Sequence, residues 1–337
     1  MIGGNLNIIQ ELQRKASSVL ASLVPDDVQV VILDYPNNPN VGDNLIWLGE
    51  ISYLRSRGLQ PRYVCDSENY NKSSLVHSLG AEKSVILLHG GGNFGTVWPE
   101  LQDFREKVLM DFRGVPIIQL PQSLHFDDPA KLKRAAEVIR KHGNFTLLTR
   151  DKPSFELARL NFDCDVFMCP DMAFFIGPVS LGKSPQYDRF ALCRTDREMK
   201  SNWHLSLEAL AGKLSVNVAD WLEPGMVERV LHRIEQHTAP LRRQFDQDNL
   251  VLLRLWNILA QARMARGVAL LQRGRVVITD RLHAHILSVL LGKPHALIDN
   301  SYGKIRNYYH AWTEAYSGSR LVTSVEAALR AADELDT

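Results

Sequence analysis

The sequence predicts an α/β protein made of two doubly wound, Rossmann-like halves that face each other across a cleft. Three observations support this fold class. Continuously apolar runs such as VQVVILDYP (28–36) are typical of parallel strands that are covered by helices on both faces. Helical segments alternate with these runs, and the alternation starts again after a Gly-, Pro- and Ser-rich stretch at 177–188. A chain of 337 residues also exceeds the usual length of one domain.

The first half is assigned to residues 1–180 and begins with an amphipathic helix. Apolar residues recur every three to four positions over 5–23, and Pro25 ends the pattern. The strands predicted after it lie at 28–36, 84–90, 115–123 and 145–151, with a further strand and its exit loop at 167–177; the predicted helices lie near 42–57, 98–113, 129–142 and 152–160.

The second half is assigned to residues 181–337 and repeats the alternation. Its longest helix is predicted over 249–272, where Arg254, Arg263 and Arg266 interrupt an apolar stretch. Such a helix can lie on a membrane surface, but a packed helix with a solvated basic face is the favoured interpretation. The predicted strands are at 189–196, 214–223, 275–281, 295–300 and 320–324.

Composition argues against several classes of function. Basic residues number 39 and acidic residues 38, so the net charge of +1 gives no reason to expect nucleic acid as a partner. No apolar run approaches the roughly 20 residues of a membrane-spanning helix, and the N-terminus does not resemble a signal peptide. We therefore expect a cytoplasmic protein with at most peripheral association with the inner face of the membrane. Nothing in the sequence selects an oligomeric state.

Ligands of doubly wound sheets bind where the strands end at their carboxyl edge, so the loops after the strands are the candidate site. The loop PNNPNVGDNLIWLGE (36–50) follows the first predicted strand and contains Asp43 and Asn44. Either residue can cap the next helix, or both can hydrogen-bond a polyhydroxylated ligand.

Further polar residues follow other strands of the first half. HGGGNFG (89–95) contains Gly91, Gly92 and Asn93, whose backbone forms either a tight turn or a surface that a sugar can approach closely. It is neither a Walker loop nor a dinucleotide-binding fingerprint. The next two strands are followed by Gln119, Gln122, Arg150 and Asp151, which suit sugar hydroxyls, although Asp151 can equally cap a helix.

Basic residues follow the strands of the second half. Arg194 comes directly after FALC, and TDRLHAHI (279–286) places Asp280 as the expected helix cap with Arg281 and His283 in the first turn. A helix N-terminus and a guanidinium group together favour an anion. DNSYGKIRNYYHAW (299–312) adds Ser301 and Lys304.

The two histidines of TDRLHAHI do not predict a metal site. His283 and His285 are two positions apart, which separates them by about 200° around a helix, whereas helical metal pairs need an i, i+4 spacing. His285 is interpreted as a buried structural histidine. The four cysteines also lack zinc-type spacing, which favours buried thiols.

The motifs VGDNLIW, LHGGGNFG, CRTD, ITDRLHAHILSVLLGKP and DNSYGKIRNYY together resemble the polysaccharide pyruvyl transferase family, in particular its bacterial exopolysaccharide enzymes. The resemblance implies a GT-B-like arrangement of the two halves. It also implies transfer of pyruvate from phosphoenolpyruvate to two hydroxyls of a hexose, with formation of a cyclic ketal and release of phosphate. By this resemblance, donor-binding residues are Arg194, Arg281, Leu282 through its backbone, and His283.

Ser301 and Lys304 complete the expected donor side, and Asp43, Asn44, Gly91, Gly92, Asn93 and Gln122 the acceptor side. His283 is the candidate general acid or phosphate partner, and Asp43 or Asp151 the candidate base. No cofactor is expected besides phosphoenolpyruvate as co-substrate, and the acceptor is either free or lipid-linked. Two alternatives stay open: a nucleotide-sugar glycosyltransferase on the same scaffold, and a non-catalytic sugar-binding component of polysaccharide assembly.

Overall fold

The structure, a computed structural model, describes residues 2–80, 83–180, 182, 184–194, 216–245, 249–299 and 303–336. Within them the strands form two separate sheets, and every strand pair is parallel. Helices connect the strands and cover the sheets. The predicted fold class, two doubly wound α/β halves that face each other, is confirmed.

The first sheet has the strand order β2-β1-β3-β5-β6-β7, with β4 paired to the end of β5. Its strands are β1 (Gln29–Leu33), β2 (Pro61–Cys65), β3 (Ser84–Leu88), β4 (Gly91–Gly95), β5 (Ile117–His125), β6 (Phe145–Thr149) and β7 (Asp165–Met168). Its helices are α1 (Ile2–Leu23), α2 (Val41–Ser56), α3 (Lys72–Leu79), α4 (Pro99–Asp111), α5 (Pro129–His142) and α6 (Lys152–Asn161), followed by a 3-10 helix at Met172–Ile176.

The second sheet has the order β12-β11-β10-β8-β9. Its strands are β8 (Tyr187–Leu192), β9 (Val216–Ala219), β10 (Gly274–Thr279), β11 (His295–Ile298) and β12 (Ser319–Val322). The helices of this part are α7 (Met226–Phe245), α8 (Leu250–Leu271), α9 (Leu282–Leu291), α10 (Lys304–Tyr308), which continues into a π-helical turn at Tyr309–Thr313, and α11 (Val325–Leu335).

Local signals explain why the helices after β5 and β6 begin and end where the sequence predicts. Asp128 caps α5 by accepting a hydrogen bond from the backbone N–H of Ala130 at 2.8 Å, and Gly143 ends it in the left-handed conformation. Asp151 caps α6 in the same way, because its Oδ1 accepts the backbone N–H of Ser154 at 2.9 Å. These caps make the helix boundaries readable from the sequence.

Other elements differ from the prediction. The strand β2 and the helix α3 were not predicted, because PRYVC and KSSLVHSL are too short to give a clear period. The glycine run at 91–95 is a strand rather than a turn, since pairing with β5 supplies the stabilisation that its composition lacks. The segment 167–177 is split between β7 and the 3-10 helix.

Two helices connect the halves. Ile9 and Leu12 of α1 pack into the core beside α9, whereas Ala16 and Leu20 of the same helix pack into the core beside the first sheet. The helix α8 also packs into the core beside the first sheet, through Trp256 and its neighbours. The helix α8 is therefore packed against the protein, as favoured from the sequence. The predicted solvated basic face is wrong for two of its three arginines, because Arg263 is buried and Arg266 pairs with Glu228. The boundary near residue 180, which lies between β7 and β8, and the assignment of donor and acceptor to separate halves stay predictions.

Within the described part of the chain, no helix combines the length and the apolar character that crossing a membrane requires.

Candidate active site

A cavity of about 570 Å³ lies where the carboxyl ends of strands from both sheets meet. Residues that follow β1, β2 and β3 line one side, and residues that follow β8 and β10 line the other. This is the position expected for a ligand site in open parallel sheets. The predicted site residues that line it are Asp43, Gly92 and Asn93 from the first half, and Arg194, Arg281, Leu282, His283 and Lys304 from the second.

The segment between β10 and α9 fixes two arginines. Asp280 does not cap α9; its Oδ1 instead accepts the backbone N–H of Arg194 at 2.8 Å and so ties the end of β8 to the end of β10. Arg281 occupies the cap position, and its guanidinium contacts Asp220 at 2.5 Å. Both arginines are buried at the cavity wall. The expected capping role of Asp280 is wrong, since connecting two strand ends satisfies its carboxylate instead.

His283 lies in a buried charge cluster with Asp171 and Arg150. Its Nε2 is 3.4 Å from Asp171 Oδ2 and 3.5 Å from Arg150 Nη1, and the Asp171–Arg150 distance is 2.5 Å. Burial lowers the pKa of His283, and attraction by Asp171 only partly offsets this effect. Burial raises the pKa of Asp171, but His283 and Arg150 outweigh it and hold that pKa well below its usual range. The imidazole is therefore neutral while the carboxylate and the guanidinium are paired.

Two glycines allow close approach across the cavity. A Cβ atom at Gly42 would lie 2.5 Å from His283 Nδ1, and one at Gly92 would lie 2.3 Å from Lys304 Nζ and 3.0 Å from Arg150 Nη2. Any larger residue would therefore displace the His283 ring or the Lys304 amine. Arg150 Nη2 is buried and has no hydrogen-bond partner among the described residues. The ammonium and this guanidinium nitrogen thus converge beside Gly92, where they can hold an anion.

On the first half, the loop before α2 positions Asp43. The carboxylate accepts hydrogen bonds from the side-chain amides of Asn38 at 3.3 Å and Asn40 at 3.0 Å. Asn40, rather than Asp43 or Asn44, caps the helix, because its Oδ1 accepts the backbone N–H of Gly42. Asp43 is held by amides, and no basic side chain among the described residues forms an ion pair with it, which suits a carboxylate that hydrogen-bonds a hydroxyl.

Four predicted residues do not line the cavity. Asn44 is buried against Tyr35 and Arg263, and Gln122 holds the backbone of His89 and the side chain of Asn93. These two residues support the acceptor loops without forming the cavity wall. Gly91 belongs to β4, and Asp151 caps α6, the alternative that its position before Pro153 left open.

Two further residues of the sequence analysis are Ser301, predicted to bind the donor, and His285, predicted to be structural. Ser301 lies outside the described residues. His285 is buried between His295 and Thr313, which its two ring nitrogens contact at 2.6 and 2.7 Å. It has the structural role that the sequence favoured. Among the described residues, no group of three or more His, Cys, Asp or Glu side chains is arranged to hold a metal ion.

The cavity also contains residues that sequence reasoning missed. Asp34 lies directly after β1 with φ of 70°, a conformation that is uncommon outside glycine and is often found at functional sites. Burial raises the pKa of Asp34 to about 6, although Arg105 and His89 act in the opposite direction. His89 lines the cavity next to it, with its Nδ1 2.8 Å from Glu50 Oε2. Their place at strand ends was the available signal for Asp34 and His89.

Known proteins are similar to this chain over most of its length. The model of the family described as polysaccharide pyruvyl transferase matches residues 40–302. The chain is 31% identical over 318 residues to a Bacillus subtilis (strain 168) protein named putative pyruvyl transferase EpsO. The matched region covers 92% of this chain and 93% of that protein. This chain is 32% identical over 322 residues to pyruvyl transferase 1 of Schizosaccharomyces pombe, covering 89% and 74%, respectively.

A solved structure is similar in fold. The structure of a functionally uncharacterised Klebsiella pneumoniae protein superposes with a TM-score of 0.58 at 22% identity and covers 93% of this chain and 99% of its own. At this level of identity the likeness concerns the arrangement of the sheets and helices alone.

Proposed function

Because this chain belongs to the polysaccharide pyruvyl transferase family and is thus a pyruvyl transferase of polysaccharide synthesis, we propose that its donor is phosphoenolpyruvate and its product a cyclic ketal. The acceptor is a hexose of an exopolysaccharide or of its lipid-linked repeat unit, and phosphate is released. The observation that carries the proposal is the set of buried cations around one cavity: Arg150, Arg194, Arg281 and Lys304.

Phosphoenolpyruvate carries a phosphate and a carboxylate, so it requires several positive charges in a small volume. Arg281 and Lys304 reach the cavity from the second half, and Arg150 approaches Lys304 beside Gly92. The first turn of α9 adds backbone N–H groups that favour an anion. Arg281 also contacts Asp220 and Arg150 contacts Asp171, so an anionic donor would share these cations with protein carboxylates. The donor therefore binds at this side of the cavity.

In the proposed reaction His283 donates a proton to C3 of phosphoenolpyruvate. The C2–C3 π electrons form the new C3–H bond, and C2 becomes oxocarbenium-like. One sugar hydroxyl attacks C2, the C2–O bond to phosphate breaks with its electrons on the phosphate oxygen, and the second hydroxyl closes the ring. The anionic donor raises the pKa of the neighbouring imidazole, so bound phosphoenolpyruvate is what charges His283 for this step.

The acceptor binds at the other side, where Asp43, Gly92 and Asn93 line the cavity. Carboxylate and amide groups there suit sugar hydroxyls, and Asp43 is the residue placed to contact an attacking hydroxyl. Asp151 is left out of this set, because it caps α6. No cofactor takes part in the proposed reaction, and we expect it at the inner face of the membrane or in the cytoplasm.

A phosphate-release assay tests this function. We expect phosphate to appear only when phosphoenolpyruvate and an acceptor oligosaccharide are both present, and phosphoenolpyruvate alone to protect the protein against heat. Protection by a uridine or guanosine diphosphate sugar instead would identify a glycosyltransferase. Binding of the oligosaccharide without any phosphate release would identify a sugar-binding component of an assembly complex.

The variant Lys304→Ala tests the donor site. Loss of the buried ammonium removes one of the converging cations, so we expect the KM for phosphoenolpyruvate to rise by about tenfold or more, equivalent to at least about 1.4 kcal/mol. Arg306→Ala is the matched control, because Arg306 lies two residues further along α10 but is exposed and pairs with Asp299. An unchanged KM in Lys304→Ala would exclude this lysine from donor binding.

A further inference from the structure

The geometry of the acceptor side points to a second proton-transfer residue: we propose that His89, oriented by Glu50, accepts the proton of the attacking sugar hydroxyl. The inference rests on the proposed function, since it assigns a role in that reaction. It replaces neither His283 nor the hydrogen-bonding role of Asp43.

The contact with Glu50 fixes the tautomer of neutral His89. Its Nδ1 lies 2.8 Å from Glu50 Oε2, and Glu50 Oε1 accepts the backbone N–H of Gly90 at 2.9 Å. The carboxylate is thus held by the same loop that it orients. A neutral His89 that donates Nδ1–H to Glu50 carries its lone pair on Nε2, which is the arrangement of the base in carboxylate–histidine catalytic groups.

The other ring nitrogen of His89, Nε2, is left for a ligand in the cavity. His89 lines the cavity directly after β3, and its Nε2 is buried without a hydrogen-bond partner among the described residues. An unsatisfied buried nitrogen costs about 1–3 kcal/mol, and a structural histidine normally avoids that cost. His142 is such a structural histidine, because both of its ring nitrogens contact backbone carbonyl groups. A sugar hydroxyl in the cavity is the partner that Nε2 of His89 lacks.

The charges around His89 support proton transfer. Burial lowers its pKa, but Glu50, with help from Asp34 and Asp43, outweighs burial and raises the pKa above its usual value. Glu50 and Asp43 lie on α2, Asp43 in its first turn, and Asp34 follows β1. The ring of Trp47 packs beside His89 at 6.4 Å between centroids. A histidine of raised pKa is a stronger base once it is deprotonated.

In the proposed step His89 accepts a proton from the sugar and later returns it. The O–H bond of the sugar breaks, its electron pair forms the O–C2 bond of the adduct, and the proton moves to Nε2 of neutral His89. The imidazolium that results is paired with the Glu50 carboxylate. When the C2–O bond to phosphate breaks, its electron pair stays on the phosphate oxygen, and His89 returns the proton to that oxygen. Neutral His89 then accepts the proton of the second hydroxyl as that O–H electron pair forms the second O–C2 bond. Solvent carries this proton back to His283, which gave its own to C3.

The test uses the full chain, phosphoenolpyruvate and the oligosaccharide that gives the most phosphate with the unmodified protein. We expect His89→Gln to lower kcat by about 10²- to 10⁴-fold while phosphoenolpyruvate still protects it against heat. Glu50→Gln keeps a hydrogen bond to Nδ1 but removes the charge that raises the pKa of His89. We expect the acidic limb of its kcat profile to move to lower pH and its maximal kcat to fall.

His142→Gln is the matched control, because it removes a buried histidine outside the cavity and should alter stability without moving the pH profile. Full turnover in His89→Gln, or an unmoved acidic limb in Glu50→Gln, would overturn this inference alone. If His89→Gln does not fold, the Glu50→Gln profile decides. An unmodified protein that neither binds phosphoenolpyruvate nor releases phosphate would overturn the proposed function, and this inference with it.

Discussion

Two histidines line the same cavity, and each lies beside a carboxylate. The two pairs differ because the carboxylate beside His283 also contacts an arginine. Glu50 contacts His89 at 2.8 Å, whereas Asp171 is 3.4 Å from His283 and 2.5 Å from Arg150. The pKa of His89 is raised and that of His283 is lowered, although both rings are buried. A carboxylate that already neutralises an arginine stabilises an imidazolium less. Burial lowers the pKa of His283 and Arg150 lowers it further, whereas the Glu50 carboxylate beside His89 outweighs burial.

The difference suits opposite tasks at the two sides of the cavity. In the proposed reaction, His283 stays neutral until an anion binds beside it, so its charge would depend on phosphoenolpyruvate. On the acceptor side, His89 retains its tautomer and its partner without a ligand. Environments that push the pKa values of two groups apart are typical of acid and base pairs in active sites.

The largest expected effect comes from removing Arg150, which pairs with Asp171 beside His283. Arg150→Gln leaves Asp171 buried without its guanidinium, so we expect the free energy of unfolding to fall by about 3–5 kcal/mol. In the protein that still folds, the pKa of His283 should rise, because Asp171 then has only the imidazole to stabilise. Urea unfolding and NMR titration of the histidine rings measure the two quantities.

An exposed ion pair provides the control for this variant. Arg189 pairs with Asp333, whose side chain is mostly exposed, so Arg189→Gln should cost no more than about 1 kcal/mol. If Arg150→Gln left the pKa of His283 unchanged, the arginine would not contribute to the difference between the two histidines.

The next effect comes from the close contact of α2 with His283. A Cβ atom at Gly42 would overlap the imidazole, so Gly42→Ala should displace it and destabilise the protein by about 1–3 kcal/mol. A displacement of about 1 Å in a reacting group can reduce turnover by about 100-fold. Steady-state phosphate release and thermal unfolding measure both effects, and the pH profile assigned to His89 should stay in place.

Gly182→Ala serves as the matched substitution, since no described residue would lie within 4 Å of a Cβ atom there. Unchanged turnover in Gly42→Ala would mean that the position of His283 is not critical to the reaction.

The cavity lining of the proposed donor side was largely predictable from the sequence, and that of the proposed acceptor side was less so. Arg194, Arg281, His283 and Lys304 follow strands or open helices, so their order along the chain indicated a shared edge. The prediction required only strand positions and the preference of anions for cations and helix N-termini.

The acceptor side depends on contacts between distant segments, which no local pattern reveals. Glu50 and His89 are 39 residues apart, and Glu50 is in the middle of a helix. Asn44 and Gln122 looked like sugar ligands because of their residue type, but each is consumed by buried hydrogen bonds to neighbouring segments. Arg150 was grouped with sugar-binding residues, whereas packing places it beside Asp171 and His283.

The smallest expected effect is a pH dependence of donor binding that separates the two histidines. The pKa of His283 is lowered in the free protein, and an adjacent anion raises it, so the complex binds more protons than its separate components between the two values. Affinity for phosphoenolpyruvate should therefore increase as pH falls through this interval, by up to about tenfold per pH unit. Titration calorimetry in buffers of different ionisation enthalpy measures this uptake.

His283→Gln should reduce this proton uptake, and His89→Gln should leave it unchanged, because the pKa of His89 is set by Glu50 rather than by the donor. Equal proton uptake in all three proteins would mean that phosphoenolpyruvate does not charge His283, and the contrast between the two pairs would then describe only the empty cavity.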